Sequence, residues 1–120
     1  MLYLVFAHTA EEPPLRMGPM SSFKLSGASI VDHRGAVVAR HNGQRWTVEH
    51  RSFYRIDCAG PVLVSLDGEA GSLGPFDHFS LFNGTAYASR DVFAHFNEHD
   101  GLWHLHASPH FATTLLITPA

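Results

Sequence analysis

Short runs of alternating apolar and polar residues recur along this chain, separated by turn signals every several positions, and that rhythm predicts an all-β domain. "MLYLVFA" reads as a first strand, "FKLSGASIV" runs to a turn at "DHRG", and "AVVARH" leads to Asn42-Gly43. "SFYRIDC", "PVLVSL", "FDHFSLF", "TAYAS" and "FATTLLI" supply further strands. Asn-Gly suits a tight type I′ hairpin because both turn positions need positive φ. Closing there would pair His41 with Gln44, Arg40 with Arg45 and Ala39 with Trp46. The facing arginines count against that register. "EEPPLRMGPMSS", residues 11–22, reads as a Pro-rich loop after the first strand. "DGEAGSLGP" reads as a Gly-rich loop.

About ten short strands in one domain spanning residues 1–120 point to an antiparallel β-sandwich, a jelly roll or a small β-barrel, with at most one short helix. "FKLSGASIVDHRGAVVAR" followed by "WTVEH" echoes "FDHFSLFNGTAYAS" followed by "WHLHA". Each unit has Phe, an apolar strand, a polar-Gly turn, a strand ending in Ala or Ala-Arg, then Trp-x-Val/Leu. A duplication would favour a fold built from two related halves. The gaps needed to align the units are uneven, so chance likeness between hairpins is the competing explanation.

Candidate chemistry concentrates in "HFNEHDGLWHLH", residues 95–106, where four histidines fall within twelve positions. Read as two strands, 91–97 and 102–108, joined through "EHDG", alternation puts His95, His104 and His106 on one face. Phe96, Trp103 and Leu105 take the other. Directly paired Cβ atoms lie about 5 Å apart and same-face neighbours about 7 Å, so three imidazoles could converge on one divalent zinc, iron or manganese ion. His99, Glu98 and Asp91 are additional candidate ligands, with Glu98 or Asp91 as the carboxylate that iron or manganese prefers. A rival reading of residues 89–100 is a short helix from Ser89 to Gly101, with His95 and His99 at i, i+4. Continuous β patterning on either side favours the hairpin. The competing interpretation of the face is plain polarity, because Asp91, Asn97 and Ser108 share it and solvated sheet faces are polar.

Composition narrows the classes. Nine Phe, three Tyr and two Trp within a 45% hydrophobic chain support a packed core and exclude a disordered segment. The single cysteine, Cys58, excludes an intramolecular disulfide and a multi-cysteine metal knuckle and reads as a small buried hydrophobe. A reducing, cytoplasmic setting follows as the expectation. "MLYLVFA" is far shorter than the roughly 20 apolar residues that span a bilayer, so no membrane partner is expected.

A net charge of −3 gives no global attraction to nucleic acid. The distribution is uneven. Residues 23–55 carry Lys24, Arg34, Arg40, Arg45, Arg51 and Arg55 against Asp32 and Glu49, whereas residues 57–120 carry one arginine against seven acids. Weak anion or nucleic-acid binding by the Arg-rich 34–55 region is therefore a third candidate function. There is no Ser-His-Asp signature, no phosphate-cradling glycine loop and no pair of carboxylates in one strand. The leading expectation is a non-catalytic binding or assembly module, with a homodimer among the assemblies that the opposed charges allow. The alternative is a histidine-liganded metal-binding protein or metalloenzyme.

Overall fold

The computed structural model describes residues 1–7, 14–67 and 71–120. Among the described residues there are fourteen strands and no helix: β1 (Leu2–Ala7), β2 (Leu15–Met20), β3 (Phe23–Ser26), β4 (Ser29–Asp32), β5 (Val37–His41), β6 (Trp46–Val48), β7 (Arg51–Phe53), β8 (Arg55–Leu66), β9 (Leu73–Phe82), β10 (Thr85–Ala88), β11 (Asp91–Asn97), β12 (Leu102–Leu105), β13 (Phe111–Ala112) and β14 (Thr114–Pro119). The all-β class read from the sequence is the one formed, with more and shorter strands than about ten. Every pairing is antiparallel, in the order β13-β12-β11-β10-β9-β8-β14-β3-β4-β5-β6-β7, and β1 joins β8 to β2. The two ends of this path do not meet, so the sheet is open. Twelve strands at about 4.8 Å spacing would make a flat ribbon roughly 53 Å wide. The longest axis of the molecule is 38 Å, so the sheet must curl. Its inner face closes on a core that includes Phe6, Phe23, Trp46, Phe53, Phe79 and Trp103.

The order also reveals two like halves. Reading outward from the centre, β14-β3-β4-β5-β6-β7 mirrors β8-β9-β10-β11-β12-β13. The registers agree residue by residue. Cys58 faces Phe79 and Ile56 faces Leu81, while Ile117 faces Phe23 and Leu115 faces Leu25. The same irregularity interrupts the β4–β5 and β10–β11 ladders, between Ile30 and Val31 and between Ala86 and Tyr87. Gly18 and Gly74, each followed by Pro, have φ of 140° and 114°. A Cβ at Gly18 would sit 2.8 Å from the Leu2 carbonyl oxygen, and one at Gly74 would sit 3.0 Å from that of Val62. Both positions therefore require glycine, against equivalent carbonyls. The sequence echo is real in structure, but its alignment starts elsewhere: Phe23 corresponds to Phe79, and Phe76 corresponds to Met20.

Two indoles stitch the halves reciprocally. Trp46 Nε1 donates to the Asn83 carbonyl (3.0 Å) in the β9–β10 turn, and Trp103 Nε1 donates to the Gly27 carbonyl (2.9 Å) in the equivalent β3–β4 turn. Both Trp side chains are essentially inaccessible. Burying an indole without a partner for its N–H is costly, so each half supplies the other's acceptor.

Three sequence expectations change. Within residues 11–22, Leu15–Met20 forms strand β2 and not a loop, and Leu73, Gly74 and Pro75 of the Gly-rich stretch begin β9. Proline and glycine content is what makes both stretches read as loops. β2 pairs only with β1, so Pro19 forfeits no ladder bond on its free side. Residues 11–13 and 68–70 of those two stretches lie outside the described residues. The hairpin at Asn42-Gly43 closes two positions wider than expected, pairing His41 with Trp46 and Arg40 with Thr47. Asn42 Oδ1 accepts the N–H groups of Gln44 (3.0 Å) and Arg45 (2.8 Å), which holds a four-residue turn and separates the two arginines.

Candidate functional site

The 91–106 segment is a hairpin. β11 and β12 pair Asn97 with Leu102, Phe96 with Trp103, His95 with His104 and Ala94 with Leu105. The loop thus closes around all four residues of "EHDG". Asn97 Oδ1 accepts the His99 N–H (2.8 Å), Asp100 Oδ1 accepts the Leu102 N–H (2.9 Å), and the Gly101 N–H reaches the Asn97 carbonyl (2.8 Å). Phe96 and Trp103 pack with tilted rings 5.4 Å apart on the inner side. The three imidazoles share the outer one, as parity requires.

Their nitrogens do not gather on one point. His104 Nε2 is 2.7 Å from Asp100 Oδ2, and its ring lies against Phe111. His95 Nδ1 contacts Thr85 Oγ1 at 3.1 Å, and its ring meets His106 at a centroid distance of 6.2 Å. Asp91 lies at the far end of β11, opposite Ala88. Among the described residues no three His, Cys, Asp or Glu side chains are arranged to hold a metal ion. Against slight desolvation, the exposed Asp100 carboxyl is held below the usual carboxylate range by the Leu102 N–H and by His104. Phe93 is the extra residue of the β10–β11 bulge and packs on Phe76 and Phe79. That bulge removes Phe93 from the polar face on which alternation would leave it.

The hairpin instead forms one wall of a cleft of about 510 Å³, lined by His41, Gly43, Gly84, Thr85, His95, Phe96, Asn97, Glu98, His99 and His104. The opposite wall is the β5–β6 turn of the other half. Glu98 reaches across, and its Oε1 would be 2.9 Å from a Cβ on Gly43. His41 is the group that sequence reasoning missed. Its Nδ1 accepts the Gly43 N–H at 3.3 Å, which puts the proton of the neutral ring on Nε2. Nε2 is buried and has no hydrogen-bond partner among the described residues. Burial holds the His41 imidazole below the usual histidine range, with the charge of Glu98 pulling the other way. Trp46 meets the His41 ring at 5.0 Å, as Trp103 meets Phe96 in the other half. His41 thus stands at the position that Phe96 fills in the second half, a substitution visible only once the halves are superposed.

Cys58 takes no part in this site. It is buried in β8, and burial pushes its thiol up to about 11, which keeps it protonated and shielded at neutral pH. Arg34, Arg40, Arg45, Arg51 and Arg55 are all exposed. Arg51 lies over the Phe53 ring (5.2 Å), and Arg55 is bound to Asp57 (2.9 Å). No helix among the described residues is long and apolar enough to cross a membrane. Comparison with protein-family models, curated proteins and solved structures finds no match to this chain.

Proposed function

We propose that this chain is a non-catalytic binding module that receives a small polar ligand in the histidine-lined cleft between its halves. One observation carries the reading: where the second half places the half-buried ring of Phe96, the first half places His41, a cleft-lining imidazole whose buried Nε2 has no partner among the described residues. An unpaired buried donor costs about 1–3 kcal/mol, which a ligand acceptor would offset. With imidazoles neutral, Glu98 is the single charged group lining the cleft, so a neutral or cationic ligand suits it better than an anion. A cleft of this size falls in the range of small-molecule sites. Cys58, alone and buried, fits a reducing cytoplasmic setting.

The test is a fragment screen of neutral and amine compounds followed by NMR of the imidazole Cε1–H resonances. Hits should perturb His41 and His95 together and be lost in His41→Phe, which gives the first half the ring of the second. Hits that bind His41→Phe unchanged would reject the cleft as the site.

A second reading, a histidine-liganded metal site, is supported by the common face of His95, His104 and His106. It requires His104 to exchange Asp100 for the ion. Elemental analysis of untagged protein should then show metal that is lost in both His104→Ala and His106→Ala. Metal content untouched by either change rejects it.

A further inference from the structure

A second groove lies on the outer face of the second half, over β8, β9 and β10, lined by Arg55, Ser80, Phe82, Tyr87, Ser89 and Arg90, with a volume of about 460 Å³. We propose that it binds a tetrahedral oxyanion carried on an aromatic ring, such as an aryl phosphate or sulfate ester.

Donors dominate the polar lining. Asp57 accepts the Arg55 Nε–H (2.9 and 3.1 Å) and the Ser80 hydroxyl (2.8 Å), so one carboxylate fixes both groups in place. The two Nη groups of Arg55 have no partner among the described residues, and neither has the Arg90 guanidinium. Two guanidinium groups against one carboxylate leave a surplus positive charge, in a part of the chain otherwise rich in acids. Guanidinium forks match the oxygen geometry of phosphate and sulfate. The hydroxyls of Tyr87 and Ser89 add donors to the same groove. The apolar wall is Phe82, 41% exposed, with Tyr54 meeting its ring edge-on at 5.8 Å. A fixed, open aromatic face beside guanidinium groups is a stacking surface for a flat ligand ring.

The equivalent groove of the other half shows what this position is built to hold. It is lined by Lys24, Asp67, Thr113, Thr114 and Leu116. There the anion belongs to the chain: the Asp67 carboxylate accepts the Thr113 N–H (3.0 Å), the Thr113 hydroxyl (2.7 Å) and the Thr114 N–H (2.7 Å). The registers equate Asp67 with Ala7 and Thr114 with Arg55. At the Arg55 groove, therefore, the internal carboxylate is replaced by a methyl group and a threonine by an arginine. The same registers equate Lys24 with Ser80 and Leu116 with Asp57, so the Arg55 groove keeps one carboxylate, already engaged by Arg55 Nε and Ser80. It is the second guanidinium, Arg90, that suits the groove to an external anion.

The test uses phenyl phosphate, inorganic phosphate and benzyl alcohol against the full chain, followed by amide NMR and calorimetry. Phenyl phosphate should shift the amides of residues 80, 82, 87, 89 and 90 and bind more weakly as salt rises. Inorganic phosphate should shift the same amides with lower affinity, and benzyl alcohol should not bind measurably. Arg90→Gln should weaken phenyl phosphate at least tenfold. Phe82→Ser should remove its advantage over inorganic phosphate, and His41→Phe should change neither. Both altered side chains are exposed, and an unchanged amide fingerprint outside the groove confirms folding. Shifts scattered over the surface, shifts confined to the His41 cleft, no binding at millimolar ligand, or full affinity in Arg90→Gln would each overturn the proposal.

Discussion

The two halves of this molecule agree on the inside and part company outside. Their core contacts superpose: Phe23 with Phe79, Leu25 with Leu81, Trp46 with Trp103, Ala39 with Ala94. So do the close glycine–carbonyl approaches and the bulges. In the core the halves differ in side-chain size, as with Ile30 against Ala86 and Phe53 against Ala112. Changes of polarity and charge fall where side chains meet solvent or the seam, with His41 against Phe96, Asp67 against Ala7 and Arg55 against Thr114. The cost of burying unpaired polar groups keeps a shared core apolar, whereas positions outside it are free to acquire separate chemistry. The second half also carries the longer hairpin, with one more residue pair before its turn, and that extra length lets Glu98 reach the β5–β6 turn.

The equivalence can be broken most severely at the indoles. Trp46→Ala and Trp103→Ala should each cost about 3–5 kcal/mol in denaturant unfolding, through the lost ring and the orphaned carbonyl. Similar losses sharpen the symmetry; a variant with wild-type stability would show that only one stitch matters. Next in size is the internal anion. Asp67→Asn should destabilise by about 1 kcal/mol, discounted for its exposure, while Ala7→Ser should be nearly silent. Against partial desolvation, three hydrogen bonds hold the exposed Asp67 carboxyl below the usual range. Its contribution is thus present above the ordinary aspartate pKa near 3.8 and lost as pH falls through the depressed value.

The smallest effect is at His41. Its folded pKa is lowered, so folding favours the neutral ring. Stability from this residue is full above about pH 6.5 and falls as pH drops toward the folded value. The melting temperature of wild type should decline over that window more than that of His41→Phe. Equal slopes would remove His41 from the account of acid sensitivity.

Parity made much of this legible in advance. The facing of His95, His104 and Trp103 follows from strand alternation alone and survives either way of closing the turn. Leu15–Met20 was hidden because a Gly-Pro pair signals a break unless the strand is known to lie at an edge. The cleft was hidden for another reason: residues 41–43 and 84–99 meet only through the curl of the sheet. Nor did local pattern expose the bulge at Phe93, since one extra residue shifts facing without any mark in composition. The duplication was visible as an echo, but its correct alignment needed hydrogen-bonded registers.

Strand β8 closes one half with its first residues and opens the other with its last, turning at Gly60, where φ is 93°. A chain that changes halves in mid-strand leaves no linker to flex. The pair should therefore melt as one cooperative body, and any gap between them keeps a fixed width, so a ligand is selected by fit to a rigid slot and not by closure around it.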